Sequence, residues 1–412
     1  MRFPDWRLAG RAIVLAGALA TTPAVWAQQA APANPPHDDG RAQYPAGLAN
    51  SFFSINVGYI GYNFSDAQLE PGYAAGSIVV PHAAARAVLF GHNFTPHLAV
   101  QGSYLRPVQY VKYRNLNGST ASGSVWMHFG TVTVQARAPI ASRLALYAEG
   151  GLAITNRDSL KIGEAIAMTE ARFASPIVGG GLEYRLSPSV DLLAGTSFIP
   201  RHSSASQPAT MLASGGVRYT MRPLPAEQVA ETIAAGFIFP KHLLQVGYAT
   251  DKFGFAVNNF VSQTVPVFWG GHVEVKHSVV SLQYQRNLFH TKKIFSFDVG
   301  TSFGSWRTEQ EQRFFTISAF PLARFTFLRT KPADVYFGYA VAGPTYISRV
   351  VIDGLQTGSH FTFQDFMALG TWLGAGRRVN FELNLNHYSN GNMMPQNAGV
   401  KVPLALKVGV GF

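Results

Sequence analysis

The stretch Thr131-Val132-Thr133-Val134-Gln135-Ala136 decides the fold. In an extended chain successive side chains point to opposite faces, so Val132, Val134 and Ala136 share one side and Thr131, Thr133 and Gln135 the other. Leu144-Ala145-Leu146-Tyr147-Ala148-Glu149 repeats the pattern shortly afterwards. One face apolar and the other small or polar is what a strand needs when lipid lies outside it and a lumen inside.

Working outward, about eight such segments precede Arg222, near 51–64, 84–93, 97–106, 123–137, 142–156, 172–186, 189–199 and 209–222. Their connections alternate. Asn93-Phe94-Thr95-Pro96, Ala138-Pro139-Ile140-Ala141 and Ser187-Pro188 are tight, whereas 65–83, 107–122, 157–171 and 200–208 are longer and polar. Barrels of this kind have short periplasmic turns and long external loops. Because the tight turns follow even-numbered strands, both ends of this unit lie in the periplasm. Pro223-Leu224-Pro225 breaks the pattern, 226–236 suits a short helix, and a second series follows near 242–253, 277–288, 293–303, 313–328, 334–344, 359–373, 379–389 and 400–412.

Composition agrees. Of 412 residues only 13% are charged and 13% are aromatic, against about one quarter charged in an ordinary soluble domain. After the N-terminus no apolar run reaches the roughly 18 residues of a spanning helix. The absence of cysteine excludes disulfides, thiol catalysis, thiolate metal sites and a lipoprotein anchor. A net charge of +11 suits contact with phosphorylated, anionic lipid without naming a partner.

Arg2, Arg7 and Arg11 precede the short apolar run 12–20, and Val25-Trp26-Ala27 offers small residues for cleavage, so 1–27 reads as a signal peptide. The proline-rich segment 28–45 reads as a disordered periplasmic linker. The expected fold class is all-β, with two consecutive eight-stranded antiparallel transmembrane barrels, 46–222 and 223–412. The alternative is one sixteen-stranded barrel, since the proline linker joins two periplasmic ends either way. The first unit resembles OmpA-like barrels in pattern, with a side-chain-filled interior. The alternating strand Leu404 to Phe412 ends in an aromatic, which looks like the signal read by the outer-membrane assembly machinery.

Chemistry concentrates in Phe381-Glu382-Leu383-Asn384-Leu385-Asn386-His387-Tyr388-Ser389-Asn390-Gly391. Phe381, Leu383, Leu385, His387 and Ser389 share one strand face, and the apolar members mark it as the lipid face. A histidine and a serine therefore point out of the barrel at its external end. Polar groups are costly there and mark function. Two apart on a strand, they can act as base and nucleophile.

His387-Tyr388-Ser389-Asn390, followed by Pro395, Asn397 and Gly399, resembles the signature of the PagL-type lipid A 3-O-deacylases. The resemblance implies ester hydrolysis on lipid A of lipopolysaccharide in the Gram-negative outer membrane. Ser389 would be the nucleophile, His387 the general base, and Asn390 would lie near the oxyanion. No metal or other cofactor is implied. The family's acid falls fourteen residues after the histidine, where this chain has Lys401.

Reflecting His387 about the turn centred on Gly376 places Asp365 directly across the ladder, on the same face as Phe361, Phe363 and Met367. Asp365 would then orient the imidazole. Glu382 lies on the other face, and strand parity places Lys401 in the lumen with Ala405 and Lys407. A merely exposed Asp365, a dyad, or a degenerate enzyme are the alternatives. Gly300-Thr301-Ser302-Phe303-Gly304 matches G-x-S-x-G, but that motif needs a strand-turn-helix elbow and here lies within a strand. His272 and His277 have no metal-ligand spacing with acids. No nucleotide fingerprint occurs, and no nucleic-acid partner is expected. The competing function is a non-catalytic barrel, either a porin or a surface-binding protein. The sequence leaves the oligomeric state open.

Overall fold

The computed structural model describes residues 40–255, 271–391, 393, 394 and 396–412. The expected signal peptide and most of the expected linker lie outside them.

Sixteen barrel strands form two separate rings. The first contains β1 (Ser51–Tyr62), β2 (Ala83–Asn93), β3 (Leu98–Pro107), β4 (Met127–Pro139), β5 (Leu144–Arg157), β6 (Ala171–Arg185), β7 (Val190–Ile199) and β8 (Thr210–Thr220). Each pairs antiparallel with its chain neighbour, and β1 pairs with β8, closing the ring. That closure excludes a single sixteen-stranded barrel. The second ring contains β9 (His242–Ala249), β10 (Val273–His290), β11 (Phe295–Thr308), β12 (Arg313–Arg329), β13 (Ala333–Ile347), β14 (Phe361–Leu373), β15 (Val379–Ser389) and β16 (Ala405–Gly411). It closes because β9 pairs with both β10 and β16. The helix α1 (Ala226–Ala234) lies between the rings, where the sequence places one.

Several boundaries differ from the sequence reading. The expected strand 123–137 is two pieces: β4 belongs to the barrel, while Ser122–Val125 joins Ala75–Val79 and Val111–Leu116, from the longer polar connections, in a small sheet. The expected last strand 400–412 is also split, into Val400–Lys401 and β16. Residues 40–45, read as the end of a disordered linker, are packed. Arg41 donates to Asn287 Oδ1 at 2.8 Å and to the Phe239 carbonyl at 3.0 Å. The Tyr44 ring meets Phe289 edge-on at 4.7 Å, and its hydroxyl lies 2.8 Å from that of Tyr219. Proline content suggested disorder, but two aromatic barrel rims supply enough apolar surface to order the segment.

Polar side chains fill both lumens. In the first, Arg86 grips Glu149 with bonds of 2.6 and 3.0 Å, and Arg218 meets Glu183 at 2.5 Å. In the second, Arg324 pairs with Asp298 at 2.6 Å, and Asp334 receives both Arg329 and Arg377. Buried charges persist only when paired in this way. Ser302 belongs to this interior and donates to Gln364 Oε1 at 3.0 Å.

Candidate active site

The β14–β15 hairpin turns through Gly374 and Arg377, both with positive φ. Its register pairs Asp365 with His387, Met367 with Leu385 and Phe363 with Ser389. The symmetry about Gly376 seen in the sequence therefore holds, and Asp365 and His387 sit side by side on the outward face. The Asp365 Oδ2 to His387 Nδ1 separation is 3.8 Å, longer than a hydrogen bond but close enough for a strong Coulomb interaction.

A defect in the neighbouring strand fixes the other carboxylate oxygen. Between Ala340 and Gly343 the β13–β14 register slips, and Ala342 adopts φ +54°. A β-bulge re-aims backbone groups, and a non-glycine residue in the left-handed region stores strain. Here the bulge directs the Ala342 N–H at Asp365 Oδ1, 2.7 Å away.

On the other flank of His387 stands Lys401, its register partner in the short strand Val400–Lys401. This corrects the parity argument that put Lys401 in the lumen. The pairing runs His387 with Lys401 but Asn384 with Ala405, so one extra residue intervenes on the C-terminal side. Pro403 lies within that interruption and cannot donate to a ladder. A one-residue slip reverses every side chain beyond it. Lys401 thus shares the outward face with His387, and its Nζ is held 2.6 Å from Glu274 Oε1. Glu274 is itself Lys401's ladder partner, in β10. Asp365, His387, Lys401 and Glu274 form one outward-facing row across adjacent strands.

Ser389 ends β15, half-buried, with its Oγ accepting the Gly391 N–H at 3.3 Å. Asn390 is fully buried. Its Nδ2 donates to the carbonyls of Gln396 at 3.1 Å and Thr357 at 3.4 Å, while its backbone N–H donates to Asn397 Oδ1 at 3.0 Å. In this arrangement the Asn390 amide fastens the loop after Ser389, where the sequence reading placed it near the oxyanion. Gly399 is needed in the same loop for φ +61°. Pro395 lies outside the described residues.

The sequence reading also placed His387 on open barrel surface. Nearer the hairpin turn that holds: Leu383, on the same face, is 43% exposed. His387 is 1% exposed and Asp365 is buried. Leu385 is buried in a cluster against which Tyr339, Met367 and Leu404 pack. The first barrel also reaches this region. A Cβ on Gly391 would lie 4.0 Å from the Tyr104 ring, and one on Gly130 would lie 3.7 Å from Met393 Cε.

Tyr104, His128 and Asn156 of the first barrel went unnoticed in the sequence, although the signal was there. Each falls on an outward face whose other members, such as Val132 and Ile154, are apolar and exposed.

Residues 278–402 match the family model for lipid A 3-O-deacylase (PagL), and residues 56–224 match that for the OmpA-like transmembrane domain. No curated protein matches the chain. Similar solved structures include the outer membrane enzyme PagL (12% identity, 42% of this chain and 99% of that one, TM-score 0.29). The N-terminal β-barrel domain of Pseudomonas aeruginosa OprF is another (14%, 42% and 98%, TM-score 0.28), as is Neisserial surface protein A (15%, 42% and 97%, TM-score 0.28). The fold rests on the strand pairings above, not on these likenesses. The chain is a Gram-negative outer-membrane protein of two β-barrel units, the first similar to OmpA-like transmembrane domains and the second to lipid A 3-O-deacylases.

Proposed function

We propose that the second barrel is a lipid A deacylase that hydrolyses an ester-linked acyl chain by a serine mechanism. The observation that carries this reading is the placement of Asp365, His387 and Ser389 on one outward face at the external end of the β14–β15 hairpin. In this mechanism Ser389 Oγ attacks the ester carbonyl while His387 takes its proton, and the resulting imidazolium is stabilised by Asp365. His387 then returns the proton to the leaving sugar hydroxyl. Water, deprotonated in turn by His387, frees the fatty acid. The Gly391 N–H, already directed at Ser389 Oγ, supplies a backbone donor for the oxyanion, and Asn390 holds the loop that carries it.

Mass spectrometry of lipid A incubated with the purified protein tests the reading. Loss of one acyl chain is expected, and a Ser389→Ala protein leaves the spectrum unchanged. Unaltered lipid A with the parent protein overturns it. The second reading, a non-catalytic barrel, is favoured by one observation: the position of the family's acid holds Lys401, engaged with Glu274.

A further inference from the structure

The outer wall of the first barrel carries a polar row where lipid-facing residues are expected. In β4 and β5, Val132, Val134, Leu152 and Ile154 are exposed and apolar. Towards the external end the same faces present His128 and Asn156, paired with each other, and Arg172 of β6 lies opposite Asn156. Tyr104 of β3 stacks on His128 at 5.5 Å, with Arg106 two residues further along the same face. Arg106 covers the Tyr110 ring at 5.1 Å, and Asp158 lies within Coulombic reach of Arg172.

Asn156 is the telling member. It is 1% exposed, yet among the described residues neither atom of its amide has a hydrogen-bond partner, and Nη1 of Arg172 shares that condition. Buried polar groups are nearly always paired, and each unpaired one costs free energy. An amide and a guanidinium in this state supply several donors and one acceptor. That set suits the oxygens of a phosphate and the hydroxyl of a sugar.

The row also adjoins the hydrolytic site. Tyr104 stands beside Gly391, where an added Cβ would lie 4.0 Å from its ring, and the Gly391 N–H reaches Ser389 Oγ. We infer that Arg172, Asn156, His128, Tyr104 and Arg106 form a headgroup site, which takes the phosphorylated sugar of the same glycolipid whose ester meets Ser389. The first barrel then serves as the recognition surface of the second. The inference rests on the deacylase reading for its choice of lipid, but its test does not need turnover.

The full chain carrying Ser389→Ala, in detergent micelles, is titrated with bisphosphorylated lipid A and with the same lipid chemically dephosphorylated. A preference for the phosphorylated lipid of about tenfold or more is expected, from one or two charge-assisted hydrogen bonds. Arg172→Gln combined with Asn156→Leu should abolish that preference, bringing the two affinities to within about twofold of each other. Should this pair fail to assemble, judged by heat-modifiable migration, the isosteric Asn156→Asp replaces it and should reverse the preference by charge repulsion. Equal affinities in the parent, or a preference that survives these changes, overturns the headgroup site. Headgroup preference without acyl release by the native serine protein would sink the deacylase reading alone; acyl release without preference would sink the headgroup site alone.

Discussion

Asp365→Asn is the most informative single change. Asp365 Oδ2 lies 3.8 Å from His387 Nδ1, with both groups buried. At an effective dielectric constant of about 20, a unit charge at that distance stabilises an imidazolium by about 4 kcal/mol. Losing it should slow acyl transfer by roughly a thousandfold. Geometry adds to the effect. The asparagine carbonyl would keep the bond from the Ala342 N–H, as Asp365 Oδ1 does now at 2.7 Å, so the bulge stays intact. The new NH2 then faces Nδ1 as a donor. This drives the ring proton to Nε2, the atom that must accept from Ser389. The assay is release of fatty acid from lipid A by the purified variant, with heat-modifiable migration confirming assembly. A rate within about threefold of the parent, in a properly assembled variant, refutes the reasoning.

Ser389→Ala and His387→Asn should each abolish acyl release while leaving barrel migration intact; loss of migration would point to a structural role. Exchanging the outward pair, Lys401→Glu with Glu274→Lys, keeps the 2.6 Å ion pair but brings a carboxylate to the family's position beside His387. It should recover about tenfold or more of the rate lost in Asp365→Asn, and no recovery would show that the carboxylate cannot reach the ring. In the first lumen, Arg86→Ala strands the buried Glu149 carboxylate, at a cost of about 3–5 kcal/mol. The temperature at which folded migration is lost should fall, and an unchanged temperature would show that water repairs the gap.

Period-two alternation made nearly every barrel strand legible, because lipid and lumen impose opposite demands on neighbouring residues. The Asp365–His387 pairing was equally legible, since a tight turn fixes register by counting from Gly376. Lys401 was misplaced because counting fails across the irregularity at Pro403, which parity cannot detect. The approach of Tyr104 and Gly130 to the loop after Ser389 was missed because it joins residues more than two hundred positions apart and leaves no local pattern. The small loop sheet escaped for a related reason: its three short strands pair with one another across long insertions, not with the barrel.

The seam of the second ring has a consequence for timing. At the external end, past β9, the segment Val400–Lys401 lies between β15 and β10, antiparallel to the first and parallel to the second. Only β16 follows it in chain order, and it completes the row beside His387. Until that piece docks, His387 has a neighbour on one side only, and the loop fastened by Asn390 and Asn397 has no far anchor. A half-inserted chain therefore holds its serine and histidine without the walls that orient them. On the deacylase proposal, hydrolytic competence would arrive only with closure of the ring.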